Sequence, residues 1–132
     1  DKTYLNLIEK INDIAGIRIV CTLKDDIFFI RDLVKQMPDI HVLKEKDYVT
    51  NPKESGYSSY HMIVEVPVKL TQKTIYVKCE IQIRTLAMDF WASFEHKVKY
   101  KTKNDVNPKM SKELVSCAKM INKFDTKMIN YK

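Results

Sequence analysis

The chain has 132 residues, of which 45% are hydrophobic and 30% charged, a composition typical of a single soluble globular domain with its own core. Its apolar runs are too short to span a membrane, and no charged segment followed by an apolar stretch indicates a signal peptide, so we expect a cytoplasmic protein. The formal net charge of +6 favours polyanionic partners, whether nucleotide, RNA or acidic surface, and two glycines are too few for a glycine-rich phosphate-binding loop.

Hydrophobic periodicity and turn residues divide the chain into helices and strands. The predicted elements, in chain order, are a helix over residues 4–11, a strand over 14–23, a helix over 25–37, strands over 40–48, 60–68 and 74–85, a helix from 86 to about 103 and a C-terminal helix over 108–132. Residues 50–59 contain Asn51-Pro52 and Ser55-Gly56 and form a predicted loop. This order predicts one α+β domain over residues 1–132, with a mixed sheet of about four or five strands packed by helices.

Apolar residues assign two of these elements to the core. The run over residues 14–23 is interrupted by Arg18, and we interpret it as a strand that is covered on both faces. The helix from residue 86 carries an apolar stripe that includes Leu86, Phe90 and Phe94. That stripe is typical of an amphipathic helix packed on a core.

The predicted strand over residues 74–85 has one apolar face and one ionic face. Strict alternation assigns Val77, Cys79, Ile81 and Ile83 to the first face, and Lys78, Glu80, Gln82 and Arg84 to the second. The ionic face is either solvated surface or a site for phosphate chemistry, because a carboxylate beside an amide and two cations suits both.

Two carboxylates are candidates for a magnesium site. Asp13 comes just before the first buried strand, and Glu80 lies late in the fourth. If those strands are neighbours, the carboxylates meet at one end of the sheet and can hold Mg²⁺ together with phosphate oxygens. The alternative is that Asp13 ends a helix or caps a turn and that Glu80 is solvated.

The predicted loop carries residues suited to a nucleotide. Gly56 lets the backbone approach a flat ligand closely, Tyr57 offers a ring for base stacking, and Lys53 can reach a phosphate. The alternatives are an ordinary turn glycine and a tyrosine that anchors the loop. His61, at the start of the next strand, is either a hydrogen-bonded strand histidine or a catalytic or ligand-binding group.

Charged residues elsewhere suggest ion pairs. Burying the guanidinium of Arg18 in an apolar strand is costly unless it meets an anion, and a carboxylate such as Glu80 or a ligand phosphate would supply one. On the helix from residue 86, we assign Asp89 to a solvated face, where Glu95 can pair with Lys99 one turn later.

Five segments in fixed order resemble the synthetase domain of the RelA/SpoT alarmone enzymes, and their form is most similar to the stand-alone small alarmone synthetases. The segments are Asn12-Asp13-Ile-Ala-Gly-Ile-Arg18-Ile, Lys46-Asp47-Tyr48 with Asn51-Pro52-Lys53, Gly56-Tyr57-Ser-Ser-Tyr-His61, Glu80-Ile-Gln82-Ile-Arg84-Thr85 and Phe90-Trp91-Ala-Ser-Phe-Glu95-His96-Lys97. Each segment is a weak signal alone, whereas the ordered set is highly specific.

The resemblance implies a nucleotidyltransferase-like fold and a GTP pyrophosphokinase, which moves the β,γ-pyrophosphate of ATP onto the 3′-hydroxyl of GDP or GTP and releases AMP. It implies Mg²⁺ as the cofactor, with Asp13 and Glu80 as ligands and Glu80 also as the candidate general base. Tyr57 is implied to stack on guanine. The other implied substrate-binding residues are Lys46, Lys53, His61, Gln82, Arg18 and Arg84. A homotetramer is expected from the small synthetases.

The chain departs from the family pattern in two ways. Family members carry an Arg/Lys-rich ATP-binding segment upstream of the Asp13 motif, whereas this chain begins at Asp1 without methionine, so we expect a piece of a longer protein. Ser55 stands where many relatives have asparagine. Two other hypotheses are a non-catalytic module that binds guanine nucleotides or single-stranded RNA, and a scaffold whose apolar helix stripes mediate assembly.

Overall fold

The computed structural model of the chain describes residues 15–131. Its elements, in order, are β1 (Ala15–Cys21), α1 (Lys24–Gln36), β2 (His41–Asp47), β3 (Tyr60–Lys69), β4 (Thr74–Thr85), α2 (Leu86–Lys101) and α3 (Pro108–Ile129). This order confirms the elements predicted for this part of the chain. The helix predicted over residues 4–11 lies outside the described residues.

The four strands form one mixed sheet in the order β1-β4-β3-β2. β1 pairs with β4 in parallel, whereas β4 with β3 and β3 with β2 pair antiparallel. The predicted α+β architecture is therefore confirmed. The parallel pairing also makes the first and last strands neighbours, which was the condition for a site shared between them.

The core lies on one face of the sheet. Met62 and Val64 of β3 and Ile81 and Ile83 of β4 are buried there against α1, whose Ile27 belongs to the same cluster. In β4 these are positions that strand alternation assigned to an apolar face. Burial of these side chains is the main favourable contribution to folding, and it leaves the opposite face of the sheet for polar residues.

β1 is an edge strand, so the expectation that it is covered on both faces is wrong. Its one strand neighbour among the described residues is β4, and the side chain of Ile17 is 49% exposed. An unbroken apolar run indicates a preference for burial, but periodicity does not distinguish a central strand from an edge strand. The place of β1 is decided by its parallel pairing with β4.

The apolar stripe assigned to α2 also lies outside the core, which corrects the sequence interpretation. Phe90 is 71% exposed, and Leu86 and Phe94 are exposed as well, whereas Met88 and Trp91 are buried. The indole Nε1–H of Trp91 donates to the Leu114 carbonyl oxygen at 2.8 Å, which turns this face of α2 toward α3. The face of α2 that packs is therefore the one that carries Trp91 with its hydrogen-bonding indole, and not the larger apolar stripe of Leu86, Phe90 and Phe94.

A buried polar contact joins the end of β4 to α3. Thr85 is the N-cap of α2, and its hydroxyl oxygen accepts the Met88 N–H at 3.1 Å. The same hydroxyl donates to Asp125 Oδ2 at 2.6 Å, and both residues are buried. Burial raises the pKa of the Asp125 carboxyl above its usual range.

We expect Asp125→Asn to keep the acceptor for Thr85 while removing this titration. Because the folded protein binds the proton more tightly than the unfolded chain, the wild-type free energy of unfolding falls as pH rises from the ordinary 3.8 through the raised pKa. The Asn variant lacks that fall and is at least as stable as the wild type at neutral pH. Urea unfolding from acidic to neutral pH measures the difference.

Asp125→Ala is the matched variant that removes the acceptor. It should cost about 1–3 kcal/mol of stability, because the buried Thr85 hydroxyl loses its partner. If the Asn and Ala variants lose equal stability at neutral pH, the hydrogen bond from Thr85 is not what Asp125 contributes.

Candidate active site

A row of polar side chains crosses the whole sheet on the face opposite the core. The strand register sets Gln82 of β4 beside Arg18 of β1 on one side and His61 of β3 on the other, and His61 faces Lys46 of β2. Glu80, two residues earlier on β4, is opposite Gly16 of β1 and Ile63 of β3. The register thus brings together four substrate-binding residues predicted from separate motifs, with Glu80 beside them.

Glu80 and four neighbouring side chains form a closed circuit of polar contacts. The side-chain Nε2–H of Gln82 donates to Glu80 Oε1 at 3.0 Å, and the side-chain Oε1 of Gln82 accepts from Arg84 Nη2. The same Arg84 nitrogen donates to the Tyr57 hydroxyl at 2.9 Å, and that hydroxyl lies 2.9 Å from His61 Nε2. His61 Nδ1 closes the circuit 3.9 Å from Glu80 Oε1.

Both ring nitrogens of His61 face polar groups of this circuit. The Tyr57 hydroxyl, which accepts from Arg84, lies beside Nε2, and the Glu80 carboxylate lies beside Nδ1. Burial lowers the His61 pKa, Glu80 acts against that shift, and the charges of Arg84, Lys53 and Lys46 reinforce it. His61 is therefore neutral at physiological pH.

Arg84 has a different environment from the one expected of a substrate-binding residue. Its side chain is 4% exposed, and its guanidinium is bonded to Gln82, Tyr57 and Asp89. It therefore orients the groups that face the open side of the sheet, and its bonds do not support direct contact with a substrate. Strand alternation identified its face, but its burial follows from the loop and the helix that close over the end of β4.

The loop that carries Tyr57 is held by rings and by two helices. Tyr57 makes edge contacts with Tyr48 and His61, and Lys53 Nζ lies 4.9 Å from the Tyr48 ring centre and 5.3 Å from that of Tyr57. These contacts support the interpretation of Tyr57 as a loop anchor, and stacking on a base stays a prediction.

Gly56 serves the packing of this loop. It has φ +99°, and a Cβ there would lie 2.6 Å from Ala118 Cβ and 3.2 Å from Trp91 Cζ2. The close approach predicted for Gly56 therefore exists, but it is toward α2 and α3. The expectation of an approach to a flat ligand is not supported.

Arg18 pairs with a carboxylate, as expected, but this carboxylate is Asp89 and not Glu80, and contact of Arg18 with a ligand phosphate stays a prediction. Arg18 is 55% exposed, and its Nη1 lies 3.3 Å from Asp89 Oδ1. The assignment of Asp89 to a solvated helix face is therefore wrong, because its carboxylate also lies 3.5 Å from Arg84 Nη1. The sequence signal that could have predicted this contact is the position of Asp89 in the first turn of α2, close to the end of β4. The predicted pair of Glu95 and Lys99 is present at 3.6 Å.

Two cavities flank Glu80 on the polar face. The first, of about 300 Å³, lies on the β1 side and is lined by Gly16, Ile17, Arg18, Glu80 and Gln82. The second, of about 140 Å³, lies on the β2 side and is lined by Lys44, Glu45, Lys46, His61, Ile63 and Glu80. The first cavity has one cationic side chain and the second has two, and Glu80 is common to both. Lys44 was missed as a site residue because the alternation in β2 is only half clear.

The fit of a magnesium ion rests on Glu80. Residues 15–131 contain no group of three or more His, Cys, Asp or Glu side chains placed to hold a metal ion. Mg²⁺ is usually bound in nucleotide enzymes through one or two carboxylates plus phosphate oxygens, and the partly exposed Glu80 fits that requirement. Asp13, the other predicted ligand, lies outside the described residues.

The chain thus forms an α+β domain whose mixed four-stranded sheet carries Glu80 between two cavities on its polar face. The family model described as "Region found in RelA / SpoT proteins" matches residues 1–105. The chain therefore belongs to the RelA/SpoT family, which confirms the resemblance of its ordered motifs.

Two curated relatives come from Bacillus subtilis (strain 168). The chain is 49% identical over 124 residues to GTP pyrophosphokinase YwaC and 39% identical over 124 residues to GTP pyrophosphokinase YjbM. Each match covers 94% of this chain and 59% of the relative. The chain thus spans less than two thirds of the length of these relatives.

Solved structures of small alarmone synthetases have the same fold. Small alarmone synthetase 2 from Bacillus subtilis matches with a TM-score of 0.88 and 45% identity, over 98% of this chain and 74% of that one. Small alarmone synthetase 1 from the same organism, bound to its product pppGpp, matches with a TM-score of 0.86 and 38% identity, over 96% of this chain and 66% of that one. In the range 15–131, the helices are too short or too polar to cross a membrane.

We expect the titration midpoint of His61 to lie below the ordinary 6.5 and to fall further in Glu80→Gln, because the Glu80 charge favours the protonated ring. Lys46→Gln should shift the midpoint in the opposite direction, since Lys46 disfavours that proton. Ring resonances of His61 followed by NMR against pH measure both shifts. A midpoint that rises in Glu80→Gln contradicts the arrangement of charges around His61.

Proposed function

We propose that the protein is a GTP pyrophosphokinase that transfers the β,γ-pyrophosphate of ATP to the 3′-hydroxyl of GDP or GTP, forming (p)ppGpp and AMP. The observation that carries this proposal is the position of Glu80 between two cavities that are each lined by at least one cationic side chain, because a two-nucleotide reaction needs two phosphate sites on either side of one proton acceptor. The names of its relatives support the same reaction, as does the solved relative bound to AMPCPP.

The cavity on the β2 side is assigned to GDP or GTP. Lys46 and His61 line it, and Lys53 and Tyr57 lie in the loop beside it. Lysine side chains supply positive charge for the acceptor phosphates, and the partly buried Tyr57 supplies a ring for guanine. His61, neutral at physiological pH, supplies hydrogen bonds there without adding charge.

The cavity on the β1 side is assigned to ATP. Arg18 lines this cavity, and Gln82 separates it from the acceptor side while bonding to Glu80. An exposed guanidinium suits bidentate contact with phosphate oxygens. Asp13, the other proposed ligand of Mg²⁺, comes shortly before β1 in the sequence and lies outside the described residues.

The reaction is a substitution at the β-phosphorus of ATP. The 3′-oxygen of the acceptor forms the new bond, the bond from this phosphorus to the AMP oxygen breaks, and the hydroxyl proton leaves to a base. Glu80 is either that base or a ligand of Mg²⁺ with Asp13, and its negative charge is needed in both roles. Bound Mg²⁺ would neutralise phosphate charge, while the side chains of this site hold the two nucleotides in line.

We expect Glu80→Gln to lower kcat by at least about 10²-fold, because loss of a general base or of a metal ligand costs that much or more. Affinity for GDP should change far less, since the amide keeps the shape of the side chain. AMP and (p)ppGpp formation by the intact protein with ATP, GDP or GTP and Mg²⁺ measures the rate, and calorimetry with GDP measures binding.

The matched control is Glu113→Gln, which removes an exposed carboxylate from α3. It should leave kcat and GDP affinity unchanged. An intact wild-type protein that forms no AMP or (p)ppGpp under these conditions would refute the proposed reaction. Binding of single-stranded RNA that weakens steeply with salt, without turnover, would instead support the alternative of a non-catalytic binding module.

The proposed location is the cytoplasm. Cys21, Cys79 and Cys117 are free thiols in the described part of the chain, and Cys117 is exposed. Unpaired and exposed thiols favour a reducing compartment, because oxidising compartments promote disulfides.

The exposed stripe on α2 supports the homotetramer proposed for the protein. Leu86, Phe90 and Phe94 recur every four residues and are all exposed, so they form one apolar strip along the helix.

We expect Phe90→Asp to lower the molar mass measured by light scattering after gel filtration, because it places a charge in this apolar strip. Phe29→Asp, at an exposed site on α1, is the matched control. Dissociation by the control variant alone would assign assembly to a different surface.

A further inference from the structure

Two arginines of different burial share one carboxylate oxygen at the end of the sheet. Asp89 Oδ1 lies 3.3 Å from Nη1 of Arg18 and 3.5 Å from Nη1 of Arg84. Arg18 is exposed at the rim of the β1-side cavity, whereas Arg84 is buried beneath the Tyr57 loop. Asp89 therefore connects a residue that faces the proposed ATP site with one that orients the acceptor side.

The burial of Arg84 makes this carboxylate necessary. Its other side-chain partners are Gln82 and Tyr57, which are neutral, and its Nε has no hydrogen-bond partner among the described residues. A buried guanidinium needs a counter-charge, and Asp89 is the carboxylate in contact with it. Without that charge, two guanidinium groups would repel each other across the same short gap, and the exposed Arg18 is the one free to move away.

The backbone fixes where this charge lies. Thr85 ends β4 and caps α2, and Asp89 follows in the first turn of that helix. Carboxylates are favoured in the first turn by the helix dipole, so the position is stable in itself. The turn from strand to helix thereby sets Asp89 beside the last arginine of β4 and the neighbouring arginine of β1.

We propose that Asp89 is a positioning residue that holds the Arg18 guanidinium at the rim of the ATP cavity and balances the charge of Arg84. This inference rests on the proposed pyrophosphokinase function and adds to it a residue that contacts neither nucleotide. Its effect on the reaction passes through Arg18, so removing its charge impairs use of ATP more than use of GDP.

The test is a double-mutant cycle on the intact protein. Asp89→Asn should raise the KM for ATP about fivefold, the range of one partly exposed ion pair, with a smaller change in the KM for GDP. In the Arg18→Gln background, the same substitution should have almost no further effect on the KM for ATP. A general loss of structure would change both KM values and would add to the effect of Arg18→Gln.

Controls separate this role from misfolding. Asp32→Asn removes a carboxylate that lies 2.9 Å from Arg31 Nε on α1, and it should leave both KM values unchanged. Asp89→Glu keeps the charge and should give a KM for ATP between those of the wild type and Asp89→Asn, which serves if the Asn variant does not fold. An unchanged KM for ATP in folded Asp89→Asn, or additive effects in the cycle, would overturn the inference.

Product formation by the wild type tests the proposed function, and ATP binding tests the role of Asp89 separately. If the wild type forms no product, the function fails, and the same four proteins are compared by calorimetric titration with ATP and Mg²⁺. Coupling between Asp89 and Arg18 in ATP affinity then supports the positioning role independently of turnover. Absence of that coupling, or of any ATP binding by the wild type, overturns it.

Discussion

The parallel pairing of β1 with β4 is the constraint on which the rest of the structure depends. It joins the beginning of the described chain to its last strand, and sets Gly16 beside Glu80 and Arg18 beside Gln82. Antiparallel pairing of β3 on the other side of β4 then adds His61 to the same row. Because side chains alternate along each strand, one register places the polar residues of three strands on one face and the core on the other.

The buried guanidinium of Arg84 holds the side chains of the polar face in place. Arg84 bonds to Gln82, Tyr57 and Asp89, and so links the strand that carries Glu80 to the loop and to the helix after it. A buried guanidinium is favourable only when its partners are well placed, so these contacts also limit how far each partner can move. Burial, reinforced by the nearby cations, lowers the pKa of His61 and keeps it neutral beside Glu80, which leaves Glu80 as the carboxylate shared by the two cavities.

Much of the candidate site could be predicted from the sequence, and the exceptions have a common cause. The sequence assigned the polar face of β4, and the motif residues Lys46, His61 and Gln82 lie near Glu80 in the sheet, while their predicted contact with a substrate stays a prediction. Asp89 was missed, and Arg84 was expected to face a substrate, because their roles depend on contacts between α2, the loop and the end of the sheet. Local sequence patterns do not predict which turn of a helix packs over the end of which strand.

By itself, the sequence determined the elements, the α+β class, the two faces of β4 and the family, because strand alternation, turn residues and ordered motifs are local properties of the chain. The tertiary structure decided that β1 is an edge strand, that α2 packs through Trp91 while Phe90 stays exposed, and that Arg18 pairs with Asp89. These outcomes depend on pairings between residues far apart in the chain, where hydrogen bonds and charge balance select among surfaces of similar hydrophobicity.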